Sequence, residues 1–401
     1  LSLAARNRNT IKMNTETSPK HSPLVYLLTL GAIGLLAVIF FSPIWWVSLT
    51  APNYPEEAFP DGVRIHFHMN GVFSGCKKVE KREIQEEEAL DCVHEMDTIN
   101  HYVGMYPIAA GGVVERAFSP FLVSLLGVML IGFLIPAPKP RMAIMAVGFL
   151  AILGWMYLYY YGQEGLKYQN EGYLSALVTA LDQAAGEEEI EELSPGQALI
   201  ARLKAELAKT ADRTPAPQEQ AEQTDKARYI ANLRASFQSD QDRRPVDRRQ
   251  EWNGSGSQML AWHYEKSLGR YFNQPQQIRP MVEGMSLAGR LLFWGLAAAM
   301  VVLVWGARKK DGLLYWLLVL VPMALPLFFV IEYSAWLWWY GHSLNEMGAF
   351  TVKPFMPTVF GDGKVAQFAT HSYPYIGFGL MLLMSALLAV AALLRRKEWQ
   401  S

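Results

Sequence analysis

"LVYLLTLGAIGLLAVIFFSPIWWVSL", Leu24 to Leu49, decides the fold class. It is almost wholly apolar, and a bilayer core of roughly 30 Å takes about 20 such residues as a helix. It is too long for a signal-peptide core, and no small-x-small cleavage site follows it. Beyond it, five further segments meet or approach the same length: Ala117–Ile135, Met142–Tyr161, Ala288–Trp305, Leu313–Tyr333 and Tyr375–Leu394. The expected class is therefore an α-helical integral membrane protein with six transmembrane helices at 24–49, 117–135, 142–161, 288–305, 313–333 and 375–394.

Basic residues set the expected orientation, because cytoplasmic flanks are enriched in Lys and Arg. Arg6, Arg8, Lys12 and Lys20 precede the first span. Lys139 and Arg141 lie between spans two and three, Arg308, Lys309 and Lys310 between four and five, and Arg395, Arg396 and Lys397 after six. With six spans all four clusters fall on one side. The tails at 1–23 and 395–401 are then cytoplasmic. Segments 50–116, 162–287 and 334–374 then lie on the outer face. Trp45, Trp46, Trp336, Trp338 and Trp339 fall at the opposite ends of spans one and five, as an interfacial belt would. Met13 opens the more natural start of the chain, so translation is expected to begin there.

The 401 residues carry a net charge of −1 and are 51% hydrophobic, a balance that points to lipid and gives no reason to expect nucleic acid. Segment 162–287 reads as a helical outer insertion. Leu199, Leu203 and Leu207 are spaced for an amphipathic helix, and "ARYIANLRASF" and "SQMLAWHYEKSLGRYF" also look helical. Asn253 opens an "NGS" sequon, a pattern common by chance.

Segment 50–116 is richer in chemistry and is expected to be a small mixed α/β domain. Val63, Ile65, Phe67 and Met69 alternate with Arg64, His66, His68 and Asn70, which predicts a strand turning at Asn70–Gly71. The only two cysteines are Cys76 and Cys92. On an oxidising face a disulfide is expected; two metal-binding thiolates are the alternative, although no CxxC spacing is present.

Four of the eight histidines lie here, His66, His68, His94 and His101, with Met96 and Met105 close by. Imidazole with thioether suits copper, thioether favouring Cu(I). If one metal is held, His66 and His68 come from the strand. His101 with Met105, or His94 with Met96, comes from the segment after Cys92. His101 and Met105 share a face if "NHYVGM" is helical, and Asp97 precedes His101 by four as a carboxylate partner would. The bland alternative is that Met69 and its neighbours are core and the histidines are surface or capping residues. In segment 334–374, Pro354, Pro357 and Gly361–Gly363 suggest an irregular excursion whose Phe and Met side chains pack on the first outer domain.

"SLTAPNYPE", "NHYVGM" and "VKPFMPTVFGDGKVAQFATHSYP" resemble a poorly characterised group of bacterial polytopic membrane proteins. Its members read "APxYPEGL", "IxxLNHYIGM" and a proline-rich "KPFMPP" segment, and are encoded with accessory genes for copper enzymes, notably nitrous oxide reductase. The resemblance does not cover most of 162–287. The chain also departs from it in "EEAFPDG" and in the charged segment between the cysteines. What it implies is a bacterial inner membrane location with the outer segments periplasmic, and an accessory role beside a copper-dependent enzyme, with copper or a copper protein as partner. The readings left open are copper handling or docking, a non-catalytic subunit of a larger membrane oxidoreductase, and a transporter. Transport ranks third because the spans are nearly free of charge apart from Arg290 and Glu332 near their outer ends. Nothing argues for an enzyme: no phosphate-cradling glycine loop, nucleophile with a base, or haem-attachment motif is present.

Overall fold

Ser42–Pro43 breaks the opening apolar run. In the computed structural model, α1 (Pro23–Phe41) ends there and the chain continues as a strand, β1 (Trp45–Thr50). The expected helix over 24–49 is thus corrected at its end: proline removes a donor and "WWVSLT" is aromatic and β-branched, suited to a pleated sheet. The structure describes residues 22–77, 91–105, 116–191, 225–269, 275–309, 312–344, 348, 353–365 and 367–400. The Met13 start and the Leu199–Leu207 helix lie outside them.

The remaining elements, in order, are β2 (Val63–His68), β3 (Gly71–Ser74), α2 (Cys92–Val103), α3 (Ser119–Leu134), α4 (Pro138–Tyr160), α5 (Glu171–Glu191), α6 (Asp225–Arg243), α7 (Gly256–Gly269), α8 (Pro275–Gly306), α9 (Leu313–Met323), α10 (Leu325–His342), β4 (Gly361–Val365), β5 (Phe368–Pro374) and α11 (Ile376–Gln400). Among the described residues five helices are long and apolar enough to cross a membrane: α1, α3 together with the 3-10 turn Arg116–Phe118 before it, α4, α8 and α11. The pair α9 and α10 makes a sixth if its 64° bend is counted within one span. The break has local causes. Pro322 lies inside α9 and Pro326 opens α10, so two backbone donors are missing within one turn. The Ser385 hydroxyl of α11 donates to the Met323 carbonyl at the break, 2.7 Å away.

One end of the bundle is tied by two fully buried arginines. Arg141, at the start of α4, donates through Nε and Nη2 to the Ala307 carbonyl just past α8, at 3.0 and 2.7 Å. Arg395, late in α11, donates to the Leu134 carbonyl that ends α3, at 3.1 Å. Helix C-termini leave carbonyls unpaired and carry partial negative charge, so a guanidinium satisfies both. The Ser22 backbone N–H meets Glu398 at 2.6 Å, bringing the start of α1 to the same end. Three of the expected basic clusters therefore meet at one end of the bundle.

A five-stranded antiparallel sheet, in the order β3-β2-β1-β5-β4, stands at the other end. It is rooted directly in α1 and α11. The Gly377 N–H bonds the Pro43 carbonyl at 2.8 Å, and a Cβ on Gly377 would stand 2.7 Å from that oxygen, so only glycine permits the approach. The expected strand 63–69 is present as β2. Its turn is Met69–Asn70, one residue earlier than expected, because His68 pairs with Gly71. The expected irregular excursion at 334–374 is corrected: its second half is the β4–β5 hairpin, and β5 completes the sheet beside β1. Phe368 packs on the apolar cluster of the first outer domain, as expected of the phenylalanines in this segment.

The insertion forms a helical lobe of α5, α6 and α7 among the described residues. Asp240 of α6 joins it by accepting from Arg244 and from the Trp262 indole at 3.0 and 3.1 Å, and by pairing with Lys266 at 2.7 Å. The Tyr159 and Tyr173 hydroxyls, both buried, meet at 3.2 Å and fix the lobe on α4. Asn253 of the sequon folds back so that its Oδ1 accepts the Ser255 N–H at 2.8 Å.

Candidate functional site

Alternation divides the residues of β2 between two surfaces. Val63 and Ile65 point into an apolar cluster with Leu49, Cys92, Met96 and Ile99. Phe67 contributes to that cluster and meets Tyr333 of α10. Arg64, His66 and His68 occupy the other face. The Cys76–Cys92 bond is formed, with Cα atoms 6.0 Å apart, and holds α2 on the apolar face.

That arrangement separates the two halves of the expected metal set. The sheet stands between α2 and the His66–His68 face. Met96 is buried beside the disulfide, and Met105 is buried in the helical bundle's own cluster, so both are packing residues. His101 and Met105 do not share a helix face. α2 ends at Val103, Gly104 takes a left-handed φ of 79°, and the Met105 N–H returns to the Asn100 carbonyl at 2.8 Å. This is a glycine-terminated helix cap, which places Met105 beyond the helix. His94 lies near the start of α2, and the His101 side chain lies outside the described residues. Among the described residues, no three His, Cys, Asp or Glu side chains come together as a metal-holding group.

The polar face is built in rows. Trp46 of β1 pairs with His66 on one side and Tyr373 on the other. Ser48 pairs with Arg64 and His371, and His371 with Asp362. The Arg64 guanidinium carbon stands 4.1 Å from the Trp46 ring centroid and 5.8 Å from that of Tyr375. His66 stacks on Tyr375 with centroids 5.2 Å apart. The Arg64 side chain is 19% exposed and pairs through Nη1 with Asp61 at 3.9 Å, so the aromatic faces and the carboxylate together fix the plane of its guanidinium. At the β4 side, Asp362 bonds His371 Nδ1 at 2.6 Å and accepts from the Tyr373 hydroxyl at 2.9 Å. The His371 and Tyr373 bonds hold the Asp362 carboxyl below its usual value, and the bond to Asp362 raises Tyr373.

Burial lowers the pKa of His66, helped by Arg64 and His68. Burial also lowers His68, opposed by its bond to the Phe41 backbone and helped by Arg116. Among the described residues the buried His66 Nε2 has no hydrogen-bond partner. These groups offer a fixed cation, a carboxylate, aromatic faces and neutral imidazoles.

Reading the sequence alone identifies Arg64, His66 and His68 as one face. It misses Trp46, Asp362, His371, Tyr373 and Tyr375 as their neighbours. The signal is the alternation in Trp45–Thr50 and in Phe368–Pro374, hidden by the apolar run before one and the glycines before the other. Trp45, expected in the interfacial belt, is buried and donates its indole N–H to Ser372 at 2.8 Å. Comparison with known protein families, with characterised proteins and with solved structures finds no match for this chain.

Proposed function

We propose that this chain is an integral membrane protein of a bacterial inner membrane that docks a protein partner on the polar face of its sheet. In this reading α1, α3, α4, α8, the bent pair α9–α10 and α11 are the six spans. The arginine-tied end is cytoplasmic and the sheet and helical lobe are periplasmic. The function is accessory to a copper-dependent enzyme. That context comes from the resemblance of "NHYVGM" and the segment from Val352 to Pro374.

One observation carries the docking role. Two segments far apart in the chain combine into a single sheet that continues two membrane helices, and its open face holds Arg64 clamped between Trp46 and Tyr375. Fixed aromatic and arginine side chains are the groups on which protein interfaces concentrate their binding energy. Affinity isolation from native membranes should recover a stoichiometric partner. Arg64→Ala and Trp46→Ala should each reduce its recovery at least tenfold while leaving the membrane level of this chain unchanged. Undiminished recovery with both variants would refute docking at this face.

A second reading, copper held by His66 and His68, is supported by their shared face and by the unbonded His66 Nε2. It requires copper to purify with the protein and to be lost in His66→Ala/His68→Ala.

A further inference from the structure

Two opposite charges lie on the exposed apolar surface of the helix bundle. Arg290 of α8 stands between Leu287 and Leu291, which are 50% and 64% exposed. Among the described residues its only hydrogen bond is from Nε to the Ser286 carbonyl of its own helix, at 3.3 Å. Glu332 of α10 is also exposed, between Phe328 and Ile331, which are 55% and 56% exposed. It has no hydrogen bond or ion pair among the described residues.

Both groups stand near the sheet end. Gly289, next to Arg290, lies against the hydroxyl of Tyr160, the last residue of α4. Tyr333, next to Glu332, reaches Ser372 of β5 and packs on Trp45 of β1. The two charges are therefore near one height, on different helices, and do not pair with each other. An ion on a lipid-facing surface is costly and is ordinarily paired or turned inward. A single partner helix of another protein would answer one of these charges. A second copy of this chain answers both, because each copy brings the opposite charge near the same height. Closed symmetry then repeats the contact without leaving either charge over.

We propose that the Arg290 surface of α8 and the Glu332 surface of α10 meet between two copies of this chain within the membrane. The proposal rests on the membrane reading above. Both native cysteines are bonded to each other, so introduced cysteines report alone. Differently tagged full-length Arg290→Cys and Glu332→Cys chains, expressed together and oxidised in native membranes, should give a mixed-tag disulfide dimer. Val301→Cys, exposed further along α8, should give at least tenfold less with Glu332→Cys. In native nanodiscs Arg290→Glu or Glu332→Arg alone should shift the mass to one copy, and the double exchange should restore the wild-type mass. A wild-type mass of one copy, equal cross-linking at Val301, a different protein linked to the Glu332→Cys chain, or no restoration by the double exchange overturns the interface alone. Release of the wild-type chain from vesicles by alkaline carbonate overturns the membrane reading and the interface with it.

Discussion

Burial pulls the His66 and His68 imidazoles below their ordinary value of 6.5 while the unfolded chain keeps that value. The folded sheet domain therefore binds fewer protons than the unfolded chain just below pH 6.5. Its stability from these groups is complete above 6.5 and is lost as the pH falls toward and through the depressed folded values. The facing charges, Arg64 beside His66 and Arg116 beside His68, act in the same direction. Thermal unfolding of the intact protein in nanodiscs should thus begin at lower temperature at pH 5 than at pH 7.5. His66→Gln/His68→Gln should flatten that dependence, and an undiminished slope would show that other groups set it. The same residues show what the sequence makes legible. Alternation alone assigns Arg64, His66 and His68 to one face. It cannot reveal that the expected methionine partners lie elsewhere, because Met96 and Met105 owe their burial to the disulfide and to a helix cap that only tertiary packing selects.

Individual elements here are shaped by what interrupts them. The first apolar run divides at Pro43, and both halves are apolar for different reasons: α1 faces its helical neighbours, while β1 lies at the centre of a sheet packed on α2 and α10. Hydropathy responds equally to both, so it carries the first helix too far and reveals only half of the sheet. At the α9–α10 break, prolines remove two donors, and the Ser385 hydroxyl lies 2.7 Å from the Met323 carbonyl there and 2.9 Å from the Met381 carbonyl of its own helix. Interhelical bonds of this kind contribute about 0.6 kcal/mol on average and up to about 1.7. Ser385→Ala should lower stability by about that range in a reversible unfolding assay, whereas no change would mean that water or another group replaces the bond. The disulfide acts on a larger scale. It closes a separation of 16 residues, for which chain entropy predicts about 3 kcal/mol. Cys76→Ser/Cys92→Ser should destabilise the sheet domain by about 2–4 kcal/mol. Protease sensitivity should appear in β2–α2 before it appears in the helical bundle; simultaneous cleavage of both would refute separate anchoring.

Taken whole, the molecule places unlike chemistry at its two ends. Arg141 and Arg395 are spent inward on helix carbonyls, so the basic character of one end is partly structural, and the flanking Arg308, Arg396 and Lys397 are left to meet solvent or lipid headgroups. The opposite end carries the disulfide, the sheet and the charged lobe. On the orientation proposed above, thiol oxidation and cationic enrichment belong on opposite sides of the membrane, as the disulfide and the arginine-tied end do. Val246 of the lobe is 81% exposed and Arg308 lies at the arginine-tied end, and neither position competes with a native thiol. In intact cells with a permeable outer membrane, Val246→Cys should react at once with an impermeant maleimide, and Arg308→Cys only after the inner membrane is opened. Reaction of Arg308→Cys first would invert the molecule. It would place Cys76–Cys92 in a reducing compartment, where the bond would not persist, and the docking face would then have to meet a cytoplasmic partner.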